Sequence, residues 1–240
     1  MTPRSLHAIP RLLAMRYVST RASDAPRRVY TFEDAVLSGW AEDGGMILPH
    51  PADLEAAKAS VDLDAWAALD FKHLSVEVLR LFAGQGFSID DAALRAIVDD
   101  AFASFEAKGD VVDLKQINVG GRDVTVAELF HGPTLAFKDI GMQCLVGLQN
   151  ALLQAKGERR INLVGTSGDT GAATIEATKG KDCVCACVLY PSRKHSNMTL
   201  EQEMVTTHLA NEPNICAIKV RACVRACVRV PSLPCACACP

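Results

Sequence analysis

The chain has 240 residues, of which 49% are apolar and 22% charged, with a net charge of −3. That length admits one large domain or two small ones with a sizeable core. The charge gives no reason to expect nucleic acid or an anionic membrane as a partner. No apolar run approaches the roughly 20 residues of a membrane-spanning helix, so the expectation is a soluble protein.

Residues 1–14 carry Arg4 and Arg11, and Arg16 and Arg21 follow before the first acidic residue, Asp24. An arginine-bearing, acid-free start reads as an extension or a short targeting segment, with Met15 an equally good start. The compartment expected is the cytoplasm, with a plastid or mitochondrion as the alternative.

Residues 15–114 read as a mainly helical domain. In "TFEDAVLSGW" Thr31 is placed as an N-cap, with Phe32, Val36 and Trp40 at helical spacing. Gly44 and Gly45 break the chain before "MILP". "SIDDAALRAIVDDAFASF" is read as a helix capped by Ser88, with Leu94, Ile97, Val98, Ala101 and Phe105 on one apolar stripe.

The period changes near residue 115. Ile117 and Val119 alternate, as do Val124 and Val126, and Gly120–Gly121 fit a tight hairpin turn between them. From there to residue 220 strands and helices alternate: a helix apolar nearly all round from Phe137, a strand "INLVG", a helix from Asp169, a strand "CVCACVLY", a helix "TLEQEMVTTHL" with a Thr199–Gln202 capping box, and a strand "ICAIKV". The fold class expected is α/β, a helical amino-terminal domain followed by part of a parallel sheet covered by helices. Ligands of such sheets sit at the carboxyl ends of the strands.

Two stretches carry chemistry. "VGTSGDTGAA", residues 164–173, joins a strand to a helix. Gly165, Gly168 and Gly171 let the backbone approach a ligand, Thr166, Ser167 and Thr170 add hydroxyls, and a helix N-terminus favours an anion. The stretch suits a carboxylate or phosphate; the alternative is a Gly-rich turn capped by Ser and Asp. It lacks the Gly-Lys-Ser/Thr of a Walker A loop. In "ELFHGPTLAFKDIG", residues 128–141, Lys138 sits alone in apolar surroundings. It is either paired with Asp139 or Glu128 at a surface helix end, or a desolvated amine nucleophile able to form a Schiff base with pyridoxal phosphate.

Taken together, "ELFHGPTLAFKD" and "GTSGDTGAA" resemble threonine synthase, in the longer form of fungi and many bacteria. "MRYVSTR", "FEDAVLSGWAEDGGMILP", "LYPS" and "QEMVTTHLANEPNICAIKV" are similar to it too, so the resemblance runs from about Met15 to Val220. The family has a tryptophan-synthase-β-like, fold type II domain that binds pyridoxal 5'-phosphate. It converts O-phosphohomoserine and water into threonine and phosphate. The resemblance implies that Lys138 is the Schiff-base lysine and proton shuttle. It implies that Thr166, Ser167, Gly168, Asp169 and Thr170 line the substrate carboxylate site, with Asp169 also close to the cofactor ring. It implies no metal. A related cofactor lyase and an inactive anion-binding fragment are the rival readings.

The resemblance stops near Val220. The family's second Gly-rich loop, of the "GNFGN" kind that holds the cofactor phosphate, has no counterpart here. Instead "VRACVRACVRVPSLPCACACP" repeats Val-Arg-Ala-Cys every four residues, as a translated GTGC repeat would. Residues 221–240 are therefore expected to be translated simple-sequence DNA, and the chain an amino-terminal half. The rival, a thiophilic metal tail, lacks histidine and zinc-ribbon spacing. Such a half would leave a sheet edge and an apolar face in water and be weakly stable.

Overall fold

The computed structural model describes residues 15–21, 28–105 and 110–220. The expectations for residues 1–14 and 221–240 lie outside them.

Short local devices set the front region. β1 (Tyr17–Ser19) pairs antiparallel with β2 (Ile47–Pro49); the sequence reading had not placed β1. Thr31 caps α1 (Phe32–Ser38) as expected, its hydroxyl accepting from the Asp34 amide at 3.1 Å while Asp34 accepts from the Thr31 amide at 2.9 Å. Gly39, at φ +68°, ends the helix. Trp40, placed on the helical stripe by its spacing, therefore falls outside α1 and is 64% exposed. Three helices follow, α2 (Pro51–Ala59), α3 (Leu63–Ala67) and α4 (Phe71–Ala83), and then α5 (Asp91–Phe102).

Ser88 does not cap α5. Asp90 does, its carboxylate accepting from the Ala93 amide at 2.8 Å, and the Ser88 amide donates to Glu33 at 2.9 Å. A carboxylate at the N-cap also meets the positive end of the helix dipole, which favours Asp90 over a hydroxyl two residues earlier. The stripe itself is core. Leu94, Val98, Ala101 and Phe105 are buried with Phe102, Val76, Leu148 and Leu152, and Ile97 packs at their edge. Phe102 meets Phe71 and Phe105 edge-on. Each such buried large side chain contributes on the order of 1.5–3 kcal/mol, so this cluster fastens the front helices to the helix that carries Lys138.

β3 (Asp113–Val119) and β4 (Arg122–Glu128) form the expected hairpin, with Gly120 and Gly121 at φ +60° and +82° supplying the turn. It makes its own two-stranded sheet. α6 (Lys138–Lys156), β5 (Arg160–Gly165), α7 (Asp169–Thr178), β6 (Val184–Pro191), α8 (Leu200–Thr207) and β7 (Ile215–Val220) then alternate. The strands pair in the order β5-β6-β7, both pairings parallel, as the alternation required. α6 was read as apolar nearly all round and buried; every position from 142 to 153 is buried or half-buried, and Gly141 and residues 154–156 face water. Ile140, Cys144, Leu145, Leu148 and Leu152 pack toward α4 and α5, and Met142, Val146 and Leu153 toward α7 and β6.

Among the described residues the sheet is covered on one face. Val184, Ala186, Val188 and Ile215 are buried among α6, α7 and Leu209. Register places Ile161, Leu163, Cys185, Cys187, Leu189, Cys216 and Ile218 on the opposite face. There Ile161 is 64%, Leu163 68% and Ile218 40% exposed. Parallel sheets are normally covered on both faces.

Candidate active site

α6 runs back alongside the sheet, antiparallel in sense to β5, and the two are tied near their middles. Gln149 of α6 accepts from Asn162 of β5 at 2.8 Å and donates to the Val36 carbonyl at 3.0 Å. From that tie, Lys138 lies about 16 Å along the helix and Gly165 about 10 Å along the strand, in the same direction. The first turn of α6 and the loop after β5 thus share one end of the domain, at the carboxyl ends of the strands.

The approach to Lys138 is a closed loop built by Asp139. The Thr134 amide donates to Asp139 Oδ2 at 2.8 Å and the Thr134 hydroxyl to Oδ1 at 2.7 Å. Leu135 N–H donates to the Gly132 carbonyl at 3.2 Å, and Asp139 N–H to that of Ala136 at 3.0 Å. Asp139 is fully buried, and burial pushes its carboxyl above the usual carboxylate range. Gly132 packs directly on the Asp139 side chain. Leu135 adopts φ +61°, a left-handed conformation uncommon for a residue with a β-carbon. Strain of this kind persists only where surroundings over-determine it, and here Gly132, Thr134 and Asp139 do so.

Both carboxylates that could have neutralised Lys138 are engaged elsewhere. Asp139 holds Thr134, and Glu128 holds the His131 ring at 3.0 Å. The half-buried Lys138 instead sets its ammonium 4.5 Å from the centre of the Phe137 ring. Among the described residues the Lys138 ammonium thus meets an aromatic face, and neither Asp139 nor Glu128 pairs with it.

The loop 166–170 is organised by Thr166. Its hydroxyl accepts from the amides of Gly168 at 3.2 Å and Gly171 at 3.1 Å and donates to the Gly168 carbonyl at 3.0 Å. Gly168, not Ser167 or Asp169, occupies the N-cap of α7, and its side-chain cap is supplied by Thr166 from outside the helix. Asp169 and Thr170 open the helix, and their amides have no intrahelical partner. Asp169 accepts from Gln202 Nε2 at 3.1 Å. Gln202 is also the closing residue of the Thr199 capping box, which forms as expected. Thr166 is thus committed to the loop's shape, and Ser167, Gly168, Asp169 and Thr170 are the residues it presents.

Sequence reasoning weighed Asp139 only as an ion-pair partner and missed the roles of Gly132 and Gln202. The signal for the first pair was a Gly-Pro-Thr turn closed by a carboxylate five residues on. Pyridoxal phosphate suits the amine end of the site, since no carboxylate among the described residues pairs with Lys138.

Residues 16–102 match the family described as threonine synthase N terminus. Threonine synthase of Pseudomonas aeruginosa is 36% identical over 205 residues, covering 85% of this chain and 41% of the relative. That of Saccharomyces cerevisiae is 36% identical over 200 residues, covering 80% and 37%. A human protein named threonine synthase-like 2 is 36% identical over 192 residues, with 80% and 37% covered. Among solved structures, yeast threonine synthase superposes with a TM-score of 0.70 at 32% identity, over 87% of this chain and 41% of that one. A threonine synthase from Brucella melitensis with pyridoxal phosphate bound superposes with a TM-score of 0.64 at 34% identity, over 85% and 41%. The chain spans about two fifths of the length of these relatives. By sequence and fold it belongs to the threonine synthase family and corresponds to the amino-terminal part of its members.

Proposed function

We propose that the chain carries the lysine and substrate-carboxylate half of a threonine synthase, acting on O-phosphohomoserine and water to give threonine and phosphate. The observation that carries this reading is the Lys138 amine: it is held on a strained, buried-carboxylate loop, and both neighbouring carboxylates are turned away from it. Bound pyridoxal phosphate would supply an electron sink for carbanions beside an imine. Lys138 would hold its aldehyde and move protons at the substrate's α and β carbons. The α7 N-terminus, with Ser167, Asp169 and Thr170, would orient the substrate carboxylate through amides and hydroxyls. Gln202 would keep Asp169 from rotating away.

The test is phosphate release from O-phosphohomoserine, compared with O-phosphoserine and O-phosphothreonine, with pyridoxal phosphate present. Release from O-phosphohomoserine alone, lost in Lys138→Ala, supports the reading. Turnover of the shorter or branched substrate instead favours the related lyase, and binding without release favours the anion-binding fragment.

A further inference from the structure

The open end of the β3–β4 hairpin gathers donors that the proposed chemistry does not use. Register sets Asp113 and Glu128 directly opposite each other across the antiparallel pair. Like charges so placed repel, and a cation between them offsets that cost. His131, three residues beyond β4, stands with its ring Nε2 3.0 Å from Glu128 Oε2. Each of the three residues brings one ligand atom to within 4.8 Å of the other two. None is a loose surface group: the side chains of Asp113, Glu128 and His131 are 39%, 23% and 14% exposed.

The set already attracts cations. Lys115 places its ammonium on the Asp113 carboxylate, and that hydrogen bond holds the Asp113 carboxyl below the usual carboxylate range, with the His131 ring adding to it. Lys115 is half exposed on a flexible stem, so it can swing away. The donor types decide which ion could replace it. Two carboxylates and an imidazole nitrogen, with no thiolate, form a zinc donor set, whereas calcium and magnesium ask for about six or more oxygens. Zinc bonds to such donors at about 2.0–2.2 Å, which sets them about 3.3–3.6 Å apart at a tetrahedral angle. The Glu128–His131 pair is within a few tenths of an ångström of that spacing. Asp113 has at most about 1.5 Å to close, which rotation of its side chain covers.

We propose that Asp113, Glu128 and His131 form a three-ligand zinc site, with water as the fourth ligand. Uptake is ligand exchange without redox change. Zinc sheds all but one of its waters, and bonds form to the two carboxylates and to His131 Nε2. Any hydrogen at Nε2 leaves to solvent, the ring stays neutral with one at Nδ1, and the Lys115 ammonium moves off Asp113. The ion would clamp the first residue of β3 and the last of β4 to the residue before Gly132, where the loop closed by Asp139 begins.

The test uses the full chain with Cys223, Cys227, Cys235, Cys237 and Cys239 changed to Ser, so that these thiols do not compete. Zinc is presented as its complex with a coloured chelator, and the colour change reports transfer. One equivalent should transfer. Asp113→Asn, Glu128→Gln and His131→Gln should each weaken binding by more than the roughly 10–100-fold that loss of an outer-shell partner costs. Lys115→Gln, which frees Asp113, should tighten it. His208→Gln should leave it unchanged, since His208 meets Glu176 as a pair outside any set of three converging ligands among the described residues. On the parent, nitrogen NMR of the imidazole rings should show the His131 signals moving with zinc and those of His208 staying still, a readout independent of whether a variant folds. Zinc bound with the His131 ring unmoved, equal binding by Asp113→Asn and Glu128→Gln, or displacement of the zinc by an equal concentration of calcium would each overturn the proposal.

Discussion

Gly132 and Asp139 occupy one small space: a β-carbon on residue 132 would stand 2.5 Å from Cβ and 2.8 Å from Cγ of Asp139. The glycine is there because the carboxylate is, and the carboxylate is there to hold Thr134. Gly132→Ala should therefore expel Asp139 from its seat and cost about 1–3 kcal/mol, as overpacking does. Urea unfolding at pH 7 measures it. An unchanged midpoint would mean that the loop shifts freely and that Asp139 is not what fixes it.

Asp139 itself separates hydrogen bonding from charge. Asp139→Ala leaves the part-buried Thr134 amide without its acceptor and should cost about 1–3 kcal/mol. Asp139→Asn keeps an oxygen for that amide and should cost less. The pH dependence follows from the raised carboxyl. A folded state that holds the proton more tightly than the unfolded chain loses stability as pH rises from the unfolded value through the folded one. Melting temperatures taken upward from pH 4 should fall in the wild type relative to Asp139→Asn, the gap levelling once Asp139 is ionised. Parallel curves would contradict the buried-carboxylate assignment.

Leu135 bears the strain of the same loop, at φ +61° with 60% of its surface exposed. Leu135→Gly removes a left-handed penalty of about 1–2 kcal/mol and loses little packing, against a rise in unfolded-chain entropy. A net stabilisation of up to about 1 kcal/mol is expected by thermal unfolding. A clear destabilisation would show that the side chain is packed in solution.

The open sheet face predicts association. Ile161 and Leu163 present adjacent apolar side chains on the edge strand β5. The double change Ile161→Thr, Leu163→Thr places β-branched side chains at both positions and should lower light scattering and binding of an apolar dye without lowering the melting temperature. If the wild type melts in a single sharp, reversible transition with no dye binding, the face is not a liability.

The residues that declared themselves in the sequence were those whose effect is local. Thr31 and the Thr199–Gln202 pair cap helices within a single turn, and Gly120–Gly121 turn a hairpin whose alternation is visible on either side. The parallel order β5-β6-β7 followed from the alternation of elements. What periodicity could not show was the partner. Asp139 looked like a counterion for Lys138 because charge pattern ranks neighbours along the chain, whereas the loop folds Thr134 back onto it. Trp40 kept helical spacing past a glycine that had already ended the helix.

The most direct measurement concerns Lys138. The chain is incubated with pyridoxal phosphate, reduced with borohydride, digested and mapped by mass. The account predicts a phosphopyridoxyl group on Lys138 in preference to the other lysines, reduced in Asp139→Ala and absent from that peptide in Lys138→Arg. Modification spread evenly over surface lysines such as Lys58 and Lys115, with Lys138 unlabelled, would contradict it.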